Sequence, residues 1–447
     1  MLIGLENKLY LVAASVTVCL ILIAVGCKST ENPAPQASNI NITPAGAPPP
    51  AEASPSPPPA KEAAVSTAPF TLAMLDAFLS DDPAASDAQR EMQISDPDIQ
   101  KLREISRNYV LTLNDNAVDD KRSTKAASAY ARKQVQTVLG GERTERLIAY
   151  IQNLWKSGDQ PESRSNQVPT DTRIVVNAPA YRMDIFQDGK LLKTYKIGIG
   201  YPEFPLPTGL KKAEKIIFNP TWTPPDEPWV KGKVAPGRKV EAGSNLNPLG
   251  PIKLPIGGPT LIHGGKLPSR LGTFASHGCV GLTSPEVQDF ARQIAALSGH
   301  DLSVADIKAY EKAKTDTKEL KLDQPIPVEL RYETIVVENG VLKIYRDVYE
   351  NGTDTEQNLR DVLSNYNVSF DSLAADVQHS ILAALDQMAT NAVGTPTGET
   401  GDPDSKNKAG KSKSSRVTRN IRGKKEVDFT LPELTGKGYP APVGATF

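Results

Sequence analysis

Reactive side chains lie close together in one segment of the sequence and define a candidate site. Cys279 ends the tetrapeptide Ser276-His277-Gly278-Cys279 and follows His263 by sixteen residues. A thiol becomes a strong nucleophile when an imidazole takes its proton, and backbone N–H groups can hold the oxyanion that forms when it attacks a carbonyl. The pattern therefore predicts acyl transfer through a cysteine.

Two other interpretations of the same segment stay open. Cys279 could be a small apolar residue of the core, with incidental histidines beside it. Alternatively, His263, His277 and Cys279 could bind zinc, which accepts nitrogen and sulfur ligands, although no fourth ligand is apparent in the sequence. Two of the chain's four histidines lie in this one segment, and this clustering favours a catalytic site.

The segment also resembles the L,D-transpeptidases, whose catalytic domain is called YkuD. The two central motifs are Ile262-His263-Gly264 and Ser276-His277-Gly278-Cys279-Val280. Further similar segments are Ile174–Asn177, Tyr181–Phe186, Pro207–Gly209, Asn219–Pro225 and Asn247–Pro251. The resemblance covers about Thr172 to Asp306 and implies a mostly β catalytic domain, a sandwich or barrel-like sheet with the site in a groove.

The resemblance also implies a role for each motif residue. Cys279 is the nucleophile, His263 is the general base, and the carbonyl of Gly264 orients the imidazole. His277 supports the site, Ser276 positions His277, and Gly278 permits a tight turn; Gly264, Ser276 and Gly278 form the supporting and oxyanion group. We expect the pKa of the Cys279 thiol to lie below its ordinary value, because a reactive thiol needs thiolate character near neutral pH.

One position departs from the family pattern. The family commonly has Arg or Asn two residues after the cysteine, and this chain has Gly281. Arg270 or Arg292 could supply the missing cation. Arg270 is a candidate for binding a substrate carboxylate, and Tyr201 and Trp222 are candidates for lining the groove.

The implied reaction is transfer of a peptidoglycan stem-peptide acyl group to an amine, either on another stem peptide or on a wall-linked lipoprotein. Two rival functions remain open. One is hydrolysis on the same scaffold, with water as the acceptor. The other is a non-catalytic lipoprotein that binds the cell wall. We expect no cofactor and no metal, because the sequence has no Walker loop, no dinucleotide fingerprint and no convincing cluster of metal ligands.

The N-terminus indicates export and a membrane tether. Residues 9–26 are apolar or small and uncharged, and Ala24-Val25-Gly26-Cys27 resembles a lipoprotein cleavage site. We expect residues 1–27 to be a lipoprotein signal with Cys27 lipidated; an uncleaved transmembrane anchor is the alternative. An exported, tethered chain facing the periplasm or cell wall has no expected nucleic-acid partner.

The remaining segments predict further regions. Residues 28–69 are rich in proline and alanine and predict a linker. Residues 70–165 have apolar residues at three- and four-residue steps and predict a helical accessory region. The catalytic domain is predicted over 170–306. An α/β extension, a β-hairpin plus helices, is predicted over 325–395, with Asn339-Gly340 as its turn. Residues 396–447 predict a basic, disordered tail.

Overall fold

The computed structural model describes residues 69–80, 82–110, 112–113, 123–155, 166–223, 239–389 and 425–444. Three predicted segments therefore lie wholly or largely outside the described residues. They are the signal over 1–27, the linker over 28–69 except for Pro69, and most of the basic segment over 396–447. None of the helices within the described ranges is long and apolar enough to cross a membrane.

The N-terminal described region is helical, as its apolar periodicity predicts. Its helices are α1 (Leu72–Leu79), α2 (Asp82–Met92), α3 (Asp96–Val110), α4 (Thr124–Leu139) and α5 (Gly141–Trp155). Thr71 and Ser123 each accept a hydrogen bond from a backbone N–H in the first turn of the helix that follows, which fixes where α1 and α4 begin. The core of this region includes Leu75, Leu102 and Leu147, which are buried.

The catalytic region is built on a mixed eight-stranded sheet in the order β3-β2-β1-β10-β5-β6-β7-β9. Its strands, together with the short β4 and β8 that pair with each other, are β1 (Arg173–Asn177), β2 (Arg182–Gln187), β3 (Lys190–Lys196), β4 (Ile199–Gly200), β5 (Gly209–Phe218), β6 (Ile252–Pro255), β7 (Leu261–His263), β8 (Phe274–Ser276), β9 (Val280–Gly281) and β10 (Lys318–Arg331). The pairs β1–β10 and β7–β9 are parallel, and the other neighbours in this sheet are antiparallel.

The two end strands of this sheet meet through a pair of glycines. Gly198 follows β3, and its N–H and C=O each form a 2.9 Å hydrogen bond with the backbone of Gly281 in β9. A Cβ on Gly198 would lie 2.6 Å from Cβ of Ala275, so only glycine allows this approach. The sheet is therefore barrel-like, which confirms the predicted fold class.

Two helices follow the cysteine segment and cover the sheet. They are α6 (Ser284–Leu297) and α7 (Val304–Lys312). Thr283 is the N-cap of α6 and forms a capping box with Glu286. Phe290 of α6 is fully buried in the same core as Ile262 and Val280, so the strands of the site are fixed by apolar packing from behind.

The C-terminal extension has its own sheet and core. It contains β11 (Ile335–Glu338), β12 (Val341–Tyr345), α8 (Glu356–Ser364), α9 (Ala375–Met388) and β13 (Glu426–Thr430), with short 3-10 helices at Phe370–Ser372 and Pro432–Leu434. A further 3-10 helix, Pro268–Arg270, lies earlier in the chain, between β7 and β8. Asn339 and Gly340 both have positive φ at the turn between β11 and β12, as the hairpin prediction requires.

Two observations modify the predicted domain boundaries, which otherwise stay predictions. Strand β10 lies between β1 and β5 in the catalytic sheet, so that sheet continues to Arg331, beyond residue 306. The prediction of disorder is wrong for residues 425–444, because β13 pairs with β12. The backbone N–H of Thr194 in β3 also donates to the carbonyl of Val443 at 2.9 Å.

A buried charged cluster explains why this C-terminal segment is ordered. The guanidinium of Arg182 is hydrogen-bonded to Asp184 and Glu338 and also donates to the carbonyl of Pro440. The hydroxyl of Tyr439 lies 3.1 Å from Asp184 Oδ2. Buried charges are tolerated when they are paired and hydrogen-bonded, so the segment completes a cluster that also includes β2 and β11.

Candidate functional site

The parallel pairing of β7 with β9 brings the segment of Cys279 beside the strand that ends in His263. His263 is the register partner of Gly281, and Cys279 lies two residues before Gly281. Cys279 directly precedes β9, and a backbone hydrogen bond from Leu261 reaches its thiol. The cysteine therefore lies at the start of the strand that runs beside the one ending in His263.

His263 is held as a neutral base. It is 3% exposed, and its Nδ1 lies 2.7 Å from the carbonyl oxygen of Gly264. Because a carbonyl can only accept, Nδ1 carries the proton and Nε2 keeps its lone pair. Burial, reinforced by the charges of Lys266 and Lys253, lowers the pKa of His263 to about 3, although backbone hydrogen bonds with Gly264 and Leu249 act in the opposite direction.

Gly264 contributes to this arrangement through its small size. A Cβ at this position would lie 2.5 Å from Cγ1 of Val287 in α6. Its N–H donates to the carbonyl of Ile252 at 3.1 Å. Only glycine therefore fits at position 264. Its N–H is hydrogen-bonded to the neighbouring strand, and its carbonyl oxygen is hydrogen-bonded to the ring of His263.

The turn that presents Cys279 is held by the hydroxyl of Ser276. The backbone N–H of Cys279 donates to Ser276 Oγ at 3.0 Å, and this hydroxyl donates to the carbonyl of Cys279. Ser276 thus positions the backbone of Cys279, and its predicted role in positioning His277 stays a prediction. Gly278 has φ +89°, a left-handed conformation that favours glycine. The N–H of Gly264 is used by the carbonyl of Ile252, and an oxyanion role for Gly278 stays a prediction.

The protonation state of the thiol differs from the sequence expectation. Cys279 is partly buried. Burial raises the pKa of its thiol above the ordinary value, although a backbone hydrogen bond from Leu261 and the charges of Lys266 and Lys253 act in the opposite direction. The expected lowering of the thiol pKa is therefore wrong for the unliganded protein. Thiol and imidazole are both neutral at neutral pH, so the proton must move as the reaction proceeds.

His277 lies between two aromatic rings. Its ring centroid is 4.7 Å from that of Phe204 and 5.2 Å from that of Tyr201, and both contacts are edge-to-face. The backbone N–H of Tyr201 donates to the carbonyl of Ser276 at 2.8 Å. The loop after β4 is therefore attached to the turn that carries Cys279, and His277 is the contact between them.

The helical region supports this loop from the other side. Thr71 at the start of α1 donates to the carbonyl of Glu203 at 2.7 Å, and Thr124 at the start of α4 donates to that of Pro202 at 2.9 Å. Tyr201 and Phe204 also pack with residues of α1 and α3 in a small apolar cluster. The loop after β4 thus contacts both the helical region and His277.

The predicted substrate-binding residues lie in different surroundings. Arg270 donates to the hydroxyl of Tyr201 at 2.9 Å, so these two predicted residues are brought together. Trp222 is paired through its backbone with Val240, beside a stretch outside the described residues. Arg292 donates to the carbonyl of Leu302 in the α6–α7 connection.

Sequence reasoning missed Phe204, Lys253 and Lys266. Lys253 is the register partner of His263 across β6 and β7, and Lys266 lies against Gly281. Neither relation can be obtained from spacing, because both depend on strand register and loop path. Within the described part of the chain, no three His, Cys, Asp or Glu side chains are grouped so that they could hold a metal ion.

Comparisons with known proteins agree with this picture. Residues 171–318 match the family model of the L,D-transpeptidase catalytic domain, YkuD. This match confirms, for that part of the chain, the family resemblance seen in the sequence. No curated protein is similar enough in sequence to count as a match.

Similar solved structures are also L,D-transpeptidases. The catalytic domain from E. faecium is 17% identical and covers 37% of this chain and 100% of its own, with a TM-score of 0.24. A cysteine-to-serine mutant of the Enterococcus faecium enzyme is 16% identical over 53% of this chain and 90% of its own, with a TM-score of 0.23. The L,D-transpeptidase from Mycobacterium smegmatis is 16% identical and covers 36% of this chain and 58% of its own, with a TM-score of 0.22. These similarities are low, so the family match is the finding that identifies the domain.

Proposed function

We propose that this protein is a peptidoglycan L,D-transpeptidase that acts through a thioester on Cys279. The observation that carries the proposal is the register of His263 with Gly281, two residues after Cys279, in the parallel pair β7–β9. The family match over residues 171–318 supports the class of reaction. The neutral imidazole, with its lone pair on Nε2, supports the role of His263 as the base.

The proposed first step is attack of the thiol on a stem-peptide carbonyl. Nε2 of His263 takes the thiol proton as sulfur bonds to carbon, and the carbonyl electrons move onto oxygen. When the tetrahedral intermediate collapses, the C–N bond breaks and the imidazolium returns the proton to the departing D-alanine amine. The acyl group is left on sulfur as a thioester, with the charges balanced.

The second step transfers the acyl group from sulfur to an acceptor amine. An acceptor amine attacks the thioester, His263 takes a proton from that amine, and the thiol leaves with it. The acceptor we favour is the amine of another stem peptide or of a wall-linked lipoprotein. His277 keeps the Ser276–Cys279 turn against Tyr201 and Phe204 during both steps, so its role is positioning.

We also propose that the chain works as an exported protein tethered to a membrane through Cys27. The support is the sequence alone, since an apolar run that ends at a cysteine suits lipid attachment. A tether would keep the catalytic domain next to its polymeric substrate.

The test is incubation of the purified protein with tetrapeptide muropeptides, followed by mass analysis of the products. Cross-linked dimers are expected. Tripeptide without dimer would mean that water is the acceptor and the protein is a hydrolase. Unchanged tetrapeptide would mean a non-catalytic wall-binding protein. Cys279→Ser is the matched control, in which both products should be lost.

A further inference from the structure

The loop after β4 is buried along its length, although it has no regular secondary structure. Every residue of the stretch 201–207 is buried. Loops usually run over the surface, because buried backbone groups need hydrogen-bond partners in place of water. Two consecutive carbonyls of this loop, those of Pro202 and Glu203, accept hydrogen bonds from the hydroxyls of Thr124 and Thr71. The helical region therefore helps to fix the conformation of a loop in the catalytic region.

Both hydroxyls lie at helix starts whose geometry is already defined. Thr71 is the N-cap of α1, and its hydroxyl accepts the N–H of Met74 at 3.1 Å while it donates to Glu203. Thr124 is the first residue of α4, directly after the N-cap Ser123, and is 1% exposed. A capped helix end has a defined backbone conformation, so each donor is held at a defined place.

The segment after β12 attaches to the start of α4 and to the end of β4. The carboxylate of Glu350 accepts the N–H of Lys125 at 3.0 Å and the hydroxyl of Ser123. A carboxylate at a helix N-terminus is favoured by the helix dipole. The preceding residue, Tyr349, donates its hydroxyl to the carbonyl of Gly200 at 2.9 Å. Two adjacent residues of one segment therefore fix α4 and the beginning of the loop relative to each other.

The opposite side of the loop packs on the turn that carries Cys279. Besides the contacts of His277 with Tyr201 and Phe204, the two backbones meet at glycines. A Cβ on Gly200 would lie 1.9 Å from the carbonyl oxygen of Phe204 and 3.2 Å from Cα of Gly278. Such close contact leaves little space for the loop to move without moving the turn.

We propose that the helical region is a positioning element of the candidate active site, in which Thr71 and Thr124 hold the loop after β4 and the loop holds the turn that presents Cys279. The mechanical coupling between helices and turn is independent of the reaction. Its consequence for acyl transfer rests on the proposed function.

The direct test is hydrogen–deuterium exchange of the full chain, read by peptide mass analysis. The reporters are the N–H of Tyr201, which donates to the carbonyl of Ser276, and the N–H of Cys279, which donates to the hydroxyl of Ser276. A hydrogen-bonded amide exchanges only when its surroundings open. Thr124→Val keeps the side-chain shape and the Ser123 cap but removes the hydroxyl. Exchange at both reporters should become about tenfold faster, the effect of leaving one buried carbonyl without its donor.

Thr144→Val is the matched control. Thr144 is a buried threonine of α5, and its hydroxyl donates to the carbonyl of Gly140 at 2.7 Å, within the helical region. Its loss should leave both reporters unchanged. Thr124→Ser keeps the donor and should retain native exchange. Equal exchange at Cys279 in Thr124→Val and Thr144→Val would overturn the proposal, and so would faster exchange confined to Tyr201.

Thr71→Val provides a second variant on a different helix. It should accelerate exchange at the same two reporters, and Thr71→Ser, which keeps both the cap and the donor, should not. Native exchange at Cys279 in Thr71→Val would contradict the claim that both helices hold the turn.

Transfer kinetics test the consequence for catalysis. Thr124→Val should lower kcat about 10- to 100-fold, because a nucleophile displaced by about 1 Å loses its alignment, and Thr144→Val should keep the native kcat. Faster exchange at Cys279 with an unchanged kcat would overturn the positioning role. Absence of transfer by the native protein, with the exchange differences present, would refute the proposed function and leave the coupling of helices and turn in place.

Discussion

Nδ1 of His263 is 2.7 Å from the carbonyl oxygen of Gly264, the next residue in the chain. This contact fixes the tautomer of a buried imidazole and leaves Nε2 as the basic atom. A base held in this way needs no carboxylate partner. Burial raises the pKa of the Cys279 thiol as well, so both groups are neutral at neutral pH.

The first prediction compares the two histidines. His263→Ala should lower the transfer rate by about 10²- to 10⁴-fold, because it removes the proposed base. His277→Ala should have a smaller effect, since His277 holds the turn through Tyr201 and Phe204. Steady-state transfer rates on the same muropeptide, with unfolding curves to verify the fold, measure both. A larger loss for His277→Ala would reverse the two roles.

The second prediction concerns the pH dependence of the thiol. Burial raises the pKa of Cys279, so the neutral thiol is the form present below that pKa. The rate of alkylation by iodoacetamide should rise with pH and should still be rising at pH 9. His263, with a pKa of about 3, should add no step between pH 5 and pH 8. A plateau reached below pH 7 would show a thiolate already formed at neutrality and would contradict this description of the site.

The third prediction concerns folding stability. Gly264→Ala places a Cβ 2.5 Å from Val287 Cγ1 in the core and should lower the free energy of unfolding by about 1–3 kcal/mol. Gly141→Ala is the control, because its new Cβ would meet only a side-chain atom at 3.7 Å. Chemical denaturation measures both variants. If the new Cβ clashes with Val287, adding Val287→Ala to Gly264→Ala should recover part of the lost stability. Equal stability of Gly264→Ala and the native protein would contradict the close contact between position 264 and Val287.

Stability should also depend on pH through Glu329. Burial alone would raise its pKa, but hydrogen bonds and charges from Arg331 and Arg173 hold that pKa below the ordinary value. A lowered pKa in the folded state adds stability at pH above the unfolded value, and this contribution is lost as the pH falls through the folded value. Glu329→Gln should therefore reduce the loss of stability between pH 5 and pH 3. If Glu329→Gln loses as much stability as the native protein between pH 5 and pH 3, Glu329 does not contribute to the acid sensitivity.

The fifth prediction tests the tether. Cys27→Ala should release the exported protein into the soluble fraction if Cys27 carries lipid. Fractionation of cells followed by detection of the chain gives the answer, and Cys19→Ala is the matched control. A Cys27→Ala protein that still sediments with membranes would favour an uncleaved anchor over residues 9–26.

The parts of the structure that depend on local pattern could be predicted from the sequence. The spacing of His263 and Cys279 identified the candidate pair, and Asn339-Gly340 identified a hairpin turn. Lys253 could not be found, because its place opposite His263 depends on the register of two strands that are several residues apart in sequence. Lys266 depends on the path of a loop over a residue with no side chain.

The C-terminal segment shows a different limit. Its basic composition indicated disorder, yet Val427 and Phe429 alternate with polar residues in β13, a pattern typical of a strand. The basic composition of the whole segment predicts disorder, and an alternation over five residues is too short to contradict it. The order of the segment comes from partners far away in the chain, since Tyr439 reaches Asp184 and Val443 reaches Thr194.

The central claim is that Cys279 carries the acyl group. Brief incubation with a tetrapeptide donor, acid quench and peptide mass analysis should show the Cys279 peptide heavier by the donor acyl group, without the terminal D-alanine. Hydroxylamine should remove this mass, as expected for a thioester, and Cys279→Ser should not acquire a hydroxylamine-sensitive adduct. Product formation by a Cys279→Ser protein, or an acyl group found on another residue during turnover, would contradict the account.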